Sequence, residues 1–228
     1  TNNFNNSSTL AGAIFSAGTT TVVWTVTDAS NNQTTCSFNV IITDTENPTI
    51  ATVTDKNKIA DNGTCTYTVV GTEFDPSTYN DNCSGYTISN NYNNSTSLAG
   101  ASFPVGTTTV IWTVTDANNN TANTTFNVVV IDNQLPVISV SNVSVNNDAG
   151  NCSAIVSLSA SATDNCSVGT PTNDWIGGAF PVGTTTVNWT VTDINGNIGY
   201  ATQTVTVTDN ELPVISVSNV SVNNDAGN

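Results

Sequence analysis

The sequence predicts an all-β chain built from tandem antiparallel sandwich modules, and three observations carry that reading. Residues 135–151 and 212–228 are the same seventeen letters, LPVISVSNVSVNNDAGN, set 77 residues apart. The run GTTTV-x-W-T-V-T-D occurs three times, at Gly18–Asp28, Gly106–Asp116 and Gly183–Asp193. Within these runs apolar and polar residues alternate with a period of two, as in strands with one buried and one wet face. Self-similarity at a fixed period marks a repeat architecture.

Taken in order, each copy supplies the same parts. In 185–192, Val187, Trp189 and Val191 alternate with Thr186, Asn188 and Thr190; in the next strand Val205 and Val207 sit between Thr204, Thr206 and Thr208. Asp193-Ile-Asn-Gly-Asn joins the two, and Asn-Gly tolerates the positive φ of a tight turn. Trp24, Trp112 and Trp189 recur at the same inward phase and are expected as core anchors, one per module. After the hairpin come TDTENPTI at 43–50, IDNQLPVI at 131–138 and TDNELPVI at 208–215, read as joints. The expected organisation is the later part of a module at 1–44, complete modules at 45–132 and 133–209, and the first part of another at 210–228. Both ends of the window fall inside modules, as in a segment of a longer array. Helix signals are absent, and short strands with frequent turns fit sandwiches of about seven strands.

Composition narrows the partners. Seventeen acidic residues face Lys56 and Lys58 alone, without Arg or His, for a net charge of −15. Nothing neutralises phosphate, so nucleic acid and anionic membranes are poor partners. General acid or base work near neutral pH usually calls on His, and anion stabilisation on Arg or Lys, so the chain is not expected to be an enzyme. No run long and apolar enough to insert in a membrane is present.

Five cysteines suggest pairing within modules, Cys65 with Cys83 and Cys152 with Cys166, because each complete module carries one after a turn and one in Asp-Asn-Cys. A bond closing such a loop stabilises a module by about 3 kcal/mol in the chain-entropy model. Disulfides imply an oxidising, extracellular setting. Without His, and with pairs off ligand spacing, zinc is not expected. Calcium is the cofactor the sequence admits, through hard oxygen donors at the joints: Asp44 and Glu46, Asp132 and Asn133, Asp209 and Glu211, with Asp116 and Asp193 in the neighbouring hairpin turns. Those same residue types are also ordinary turn formers.

The combination FPVGTTTV-x-W-T-V-T-D, then T-V-T-V-T-D-N-E-L-P-V-I, with Asp-Ala-Gly-Asn-Cys and Thr-Asp-Asn-Cys upstream, resembles the hyaline repeat (HYR) domain, over essentially the whole chain. The resemblance implies immunoglobulin-like sandwiches in extracellular adhesion, and in its bacterial form the stalk modules of large cell-surface adhesins. A third cysteine often seen in the last strand of such domains is kept only at Cys36, leaving the first module's pairing open. The expected function is a structural and adhesive array forming a rigid stalk or filament on the cell surface. Surface ligands would be met by regions outside this window, and lateral or head-to-tail self-association is compatible with it. The alternative is a glycan- or receptor-binding module using Tyr79, Tyr86, Tyr92 and Trp175.

Overall fold

A computed structural model describes residues 1–223, and among them every regular element is a strand. Part of the module expected at 210–228, residues 224–228, lies outside the described residues. The chain divides into two compact units: 1–61 with 66–131, and 62–65 with the residues from 132 onward. The second unit therefore claims a four-residue turn from the middle of the first.

In the first unit, β1 (Gly18–Thr27) and β2 (Gln33–Ile42) form an antiparallel hairpin in register from Gly18↔Ile42 to Thr27↔Gln33. There follow β3 (Thr49–Ile50), β4 (Lys56–Ile59), β5 (Thr66–Thr68), β6 (Tyr79–Asn80), β7 (Thr87–Asn90), β8 (Ser102–Pro104), β9 (Gly106–Thr115) and β10 (Thr121–Ile131). One sheet has the order β4-β10-β9-β7, with β3-β6 and β5-β8 as separate antiparallel pairs. Strand β4 runs parallel to β10, from Val128↔Lys56 to Ile131↔Ile59, so an otherwise antiparallel sandwich has one parallel edge.

The second unit repeats this plan. Its strands are β11 (Val137–Ser139), β12 (Val143–Asn146), β13 (Ser153–Ala154), β14 (Ser161–Thr163), β15 (Thr172–Asn173), β16 (Phe180–Pro181), β17 (Gly183–Thr192) and β18 (Ile198–Thr208). The sheet order is β12-β18-β17-β15, β12 is parallel to β18, and the pairs are β11-β14 and β13-β16. Repeated sequence has produced repeated topology.

Alternation fills each core. In the first unit Val110, Trp112 and Val114 of β9 face Phe126, Val128 and Val130 of β10, closed over by Phe74, Leu98 and Phe103. In the second, Val187, Trp189, Val205 and Val207 pack with Ala154 and Phe180. Trp112 and Trp189 are the anchors the sequence predicts, but Trp24 is only half-buried. Its hairpin holds the same inward phase but has no second layer over most of its length. Each buried indole N–H needs an acceptor: Trp112 Nε1 donates to the Phe74 carbonyl (3.1 Å), and Trp189 Nε1 to Gln203 Oε1 (3.0 Å). Gln203 occupies the position of Phe126 and is fully buried, its Nε2 donating to the Ser141 carbonyl (2.6 Å). Gly199, where the other complete copy has Ala122, lets the Pro136 carbonyl approach; a Cβ there would lie 2.0 Å from that oxygen.

Both lysines sit on β4. Lys58 pairs with Glu73, which also accepts from the Tyr67 hydroxyl and the Val70 amide. Burial opposes the charge on Glu73, but these donors outweigh it and hold its carboxyl at about 2, below the ordinary 4.5.

Two measurements check this account. Trp112→Ala is expected to cost roughly 3–5 kcal/mol in denaturant unfolding, and Trp24→Ala clearly less, because only the former empties a closed core. Because the folded carboxyl of Glu73 is depressed, its contribution is complete above the ordinary value and lost as pH falls toward about 2. Acid titration of Glu73→Gln should therefore show a shallower loss of stability between those limits than the parent.

Candidate functional site

The stretches expected as joints, at 43–50 and 131–138, gather the chain's unusual chemistry, and the second unit shows it most completely. Asp132 follows β10, while Asp164, Asn165 and Cys166 come from the loop after β14. Asp132 Oδ1 accepts the Gln134 amide (3.1 Å) and Asn165 Nδ2 (3.2 Å); Asp164 Oδ2 accepts the Cys166 amide (3.0 Å). The remaining oxygens, Asp132 Oδ2, Asp164 Oδ1 and Asn165 Oδ1, are buried and receive no hydrogen bond. One ligand atom from each of Asp132, Asp164 and Cys166 lies within 4.8 Å of the others.

The first unit carries the same constellation. Asp44 Oδ1 accepts the Glu46 amide (3.0 Å) and Asp81 Oδ2 the Cys83 amide (2.9 Å). Asp44 Oδ2 and Asp81 Oδ1 are buried and meet no nitrogen or oxygen donor, and Cys83 completes the cluster. The adjoining Asp44 carboxylate, then burial, then the charges of Asp81 and Asp116, raise the pKa of the Cys83 thiol. Burying a carboxylate oxygen without a partner is costly, and doing so twice at close range adds like-charge repulsion.

The structure redistributes the residues expected as ligands. Asp44 and Asp132 are at the centre. Asp116 and Asp193 are not: burial would raise them, but hydrogen bonds from Asn120, Asn118 and Asn119 around Asp116, and from Asn197, Asn195 and Gly196 around Asp193, outweigh it and hold both below the usual range. Their oxygens are spent on the hairpin turns. Their partners reach the joint instead, Asn120 Nδ2 donating to the Asp44 carbonyl (3.2 Å) and Asn197 Nδ2 to the Asp132 carbonyl (3.3 Å). Glu46 accepts from Asn82 Nδ2 (3.0 Å), and Glu211 from the Gly150 amide (2.8 Å). Asn133 and Asp209 are exposed, and Asp209 Oδ1 accepts the Glu211 amide (3.1 Å). Sequence reasoning missed Asp81, Asp164 and Asn165. The recurrent Asp-Asn-Cys at 81–83 and 164–166 was the signal, read only as the setting of a cysteine.

The cysteines pair differently from the expectation. Cys65 bonds Cys166 across 101 residues, with Cα atoms 4.6 Å apart, while Cys36, Cys83 and Cys152 are free. The expected Cys65–Cys83 and Cys152–Cys166 bonds do not form, because the two cysteines of a module serve different joints. Cys65 sits on the 62–65 turn, where Thr64 accepts from Asn165 (2.7 Å) and the Gly63 amide donates to Gln134 Oε1 (2.8 Å). Cys83 lies instead beside Asp44. Likewise Cys152 shares a surface with Asp209 and Glu211, whereas Cys166 sits with Asp132. A bond closing a loop of about 100 residues is worth about 4.7 kcal/mol in the chain-entropy model, more than the short loops expected.

The aromatics of the alternative reading are largely committed to packing. Tyr92 stacks on Phe103 (4.2 Å between ring centres) and Trp175 on Phe180 (4.1 Å), while Tyr86 meets Tyr79 edge-on at 6.1 Å.

Comparison with known proteins finds the model described as "HYR domain" matching residues 1–42 and 43–130. The chain belongs to the HYR domain family. This HYR chain is 34% identical over 224 residues to a protein named Hyalin from Strongylocentrotus purpuratus, covering 92% of the chain and 18% of that protein. It is 32% identical over 212 residues to Hyalin from Lytechinus variegatus, covering 88% and 38%. The chain thus spans less than two fifths of either relative. Both come from animals, and the bacterial form expected from the sequence gains no support from them. Among solved structures, remote likenesses are to mouse Cadherin-23 EC22-24 (12% identity, TM-score 0.33, 84% of this chain and 74% of that one) and human Protocadherin-24 EC1-2 (13%, 0.31, 68% and 95%).

Peptide mapping without reduction should yield one fragment joining Cys65 to Cys166. Recovery of Cys65 linked to Cys83 would contradict this site.

Proposed function

We propose that this HYR chain is part of an extracellular structural and adhesive array, a rigid stalk or filament at the cell surface, whose joints are set by a disulfide and a divalent cation. Its modules are read as 1–44, 45–132, 133–209 and 210–228. The observation that carries the reading is the joint constellation itself, present once in each unit with two aspartates whose buried oxygens meet no nitrogen or oxygen donor. Such oxygens suit a hard cation, and calcium prefers carboxylate and carbonyl oxygen over the near-ideal octahedron magnesium demands. In the second unit Cys166 is tied in a disulfide, so its sulfur offers no thiolate to a softer metal.

The residues present fit such an ion in a definite division of labour. Asp132, Asp164 and Asn165 would hold it in the second unit, and Asp44 and Asp81 in the first. Bound calcium would supply positive charge between paired carboxylates. Asn120 and Asn197 fix the backbone of the first aspartate of each pair, and Asp116 and Asp193 fix those asparagines in turn. Disulfide bonding and the scarcity of cleavable basic residues support an extracellular location.

Calcium at 100 times its dissociation constant is expected to stabilise the chain by about 2.7 kcal/mol per site, read as a rise in melting temperature that chelator reverses. Asp132→Asn with Asp164→Asn should abolish that part of the shift while leaving the metal-free protein no less stable, because it removes a repulsion. Small-angle scattering of the calcium-loaded chain should give an extended particle. A melt indifferent to calcium would remove the cation from this reading, and a compact particle would remove the stalk.

A further inference from the structure

The joint of the second unit is complete and that of the first is open, and the difference has a definite shape. In the second unit Asn165 Nδ2 holds the Thr64 carbonyl, Gln134 Oε1 holds the Gly63 amide, and Cys166 bonds Cys65. The equivalents in the first unit are Asn82, Glu46 and Cys83. There Asn82 Nδ2 and Glu46 Oε2 satisfy each other at 3.0 Å and Cys83 is free. Beside them lies a cleft of about 710 Å³, lined among others by Phe15, Ile42, Asp44, Asn82, Cys83 and Ala117. Asp44 Oδ2, more than nine-tenths buried, belongs to this cluster without a nitrogen or oxygen donor.

The counterpart of that cleft is present elsewhere on the chain. Asp148-Ala-Gly-Asn-Cys152 folds as Asp61-Asn-Gly-Thr-Cys65 does. The Asp148 amide donates to the Ser153 carbonyl (2.8 Å) as Asp61 does to Thr66 (2.7 Å), and Gly150 and Gly63 share φ near +70° (71° and 74°). The Gly150 amide is held by Glu211 Oε1 at 2.8 Å, as Gly63 is by Gln134. Cys152 stands exposed at its end.

A third observation identifies the kind of segment that fills the open joint. Val26, Phe38 and Ile42 of the β1–β2 hairpin are 66%, 45% and 40% exposed, whereas their equivalents Val114, Phe126 and Val130 are at most 2% exposed. Those are covered by Val53, Val69, Phe74 and Ile88, all from the first half of their module.

We propose that Cys83 and Cys152 are the two halves of the inter-repeat bond that Cys65 and Cys166 already form. The β1–β2 face and the Cys83 cleft accept the first half of another HYR repeat, whose Gly-x-Cys turn reaches Cys83, and Cys152 offers its own turn to an Asp-Asn-Cys loop. This rests on the tandem-array reading above. Each bond forms by thiol–disulfide exchange: both thiols lose a proton and an electron, and a small-molecule disulfide such as oxidised glutathione is reduced to two thiols. The array would be laced joint by joint, each repeat bonded to both neighbours.

The test adds a copy of residues 45–88 ahead of Thr1 in the full chain and maps its disulfides without reduction in a glutathione redox buffer. The expected product joins the copied Cys65 to Cys83, with binding of a hydrophobic dye reduced as the β1–β2 face is covered. A bond between the copied Cys65 and the copied Cys83, or a Cys83 that still reacts fully with iodoacetamide, overturns the proposal. A second measurement is independent of that chain's folding: the 228-residue protein is exposed to the peptide DNGTCTYT as its glutathione mixed disulfide. Capture at Cys83 at least tenfold over Cys36 is expected, and DNVTCTYT should lose that preference. Equal capture at both cysteines, or equal capture of the two peptides, overturns it. Scattering that shows a compact particle while these links form would reject the stalk and leave the lacing intact.

Discussion

Everything in each unit depends on the long hairpin keeping one face dry. Along β9–β10 and β17–β18 side chains alternate without a break, so a slip of one residue would turn Trp112 or Trp189 to solvent and bring threonines inside. That alternation sets the register, and the register sets the rest. It brings the end of the hairpin to Asp132 or Asp209, places the turn aspartates Asp116 and Asp193 at the opposite tip, and leaves an outer face where threonines stand beside exposed Ile111 and Tyr200. The hairpin β1–β2 keeps its register with little to cover it, which shows that pairing is local to the hairpin while closure of the core is not.

The architecture was legible because it is local and repeated. Strand periodicity, the Asn-Gly turn and the inward phase of the tryptophans all follow from neighbours in sequence. What escaped depends on contacts between distant segments. Pairing Cys65 with Cys83 assumed that cysteines close in sequence are close in space, whereas a sandwich carries successive loops to opposite ends. Asp81 and Asp164 were hidden by the cysteines beside them. Asp116 and Asp193, which share the look of ligands, prove to have used their oxygens on their own turns. Gln203 reads as a solvent residue by type, and the indole N–H of Trp189 and the Ser141 carbonyl, which satisfy both ends of its amide, explain its burial.

The joint also shows why acidic composition alone was a weak guide. Asp28 serves its own turn, with Ser30 and Asn32, as Asp116 and Asp193 serve theirs. Among the acidic residues described, only the pairs Asp44–Asp81 and Asp132–Asp164 combine burial with unused oxygens. The distinction lies in hydrogen-bond accounting and not in charge.

The parallel edge has a mechanical meaning. In each sheet the strand nearest the module's start, β4 or β12, lies alongside the one that ends it, β10 or β18, pointing the same way over four residue pairs. Tension applied through the two ends of such a module drags these neighbours past one another along their common axis. Their ladder is then loaded in shear, all its rungs sharing the force together, instead of opening like a zip from one end.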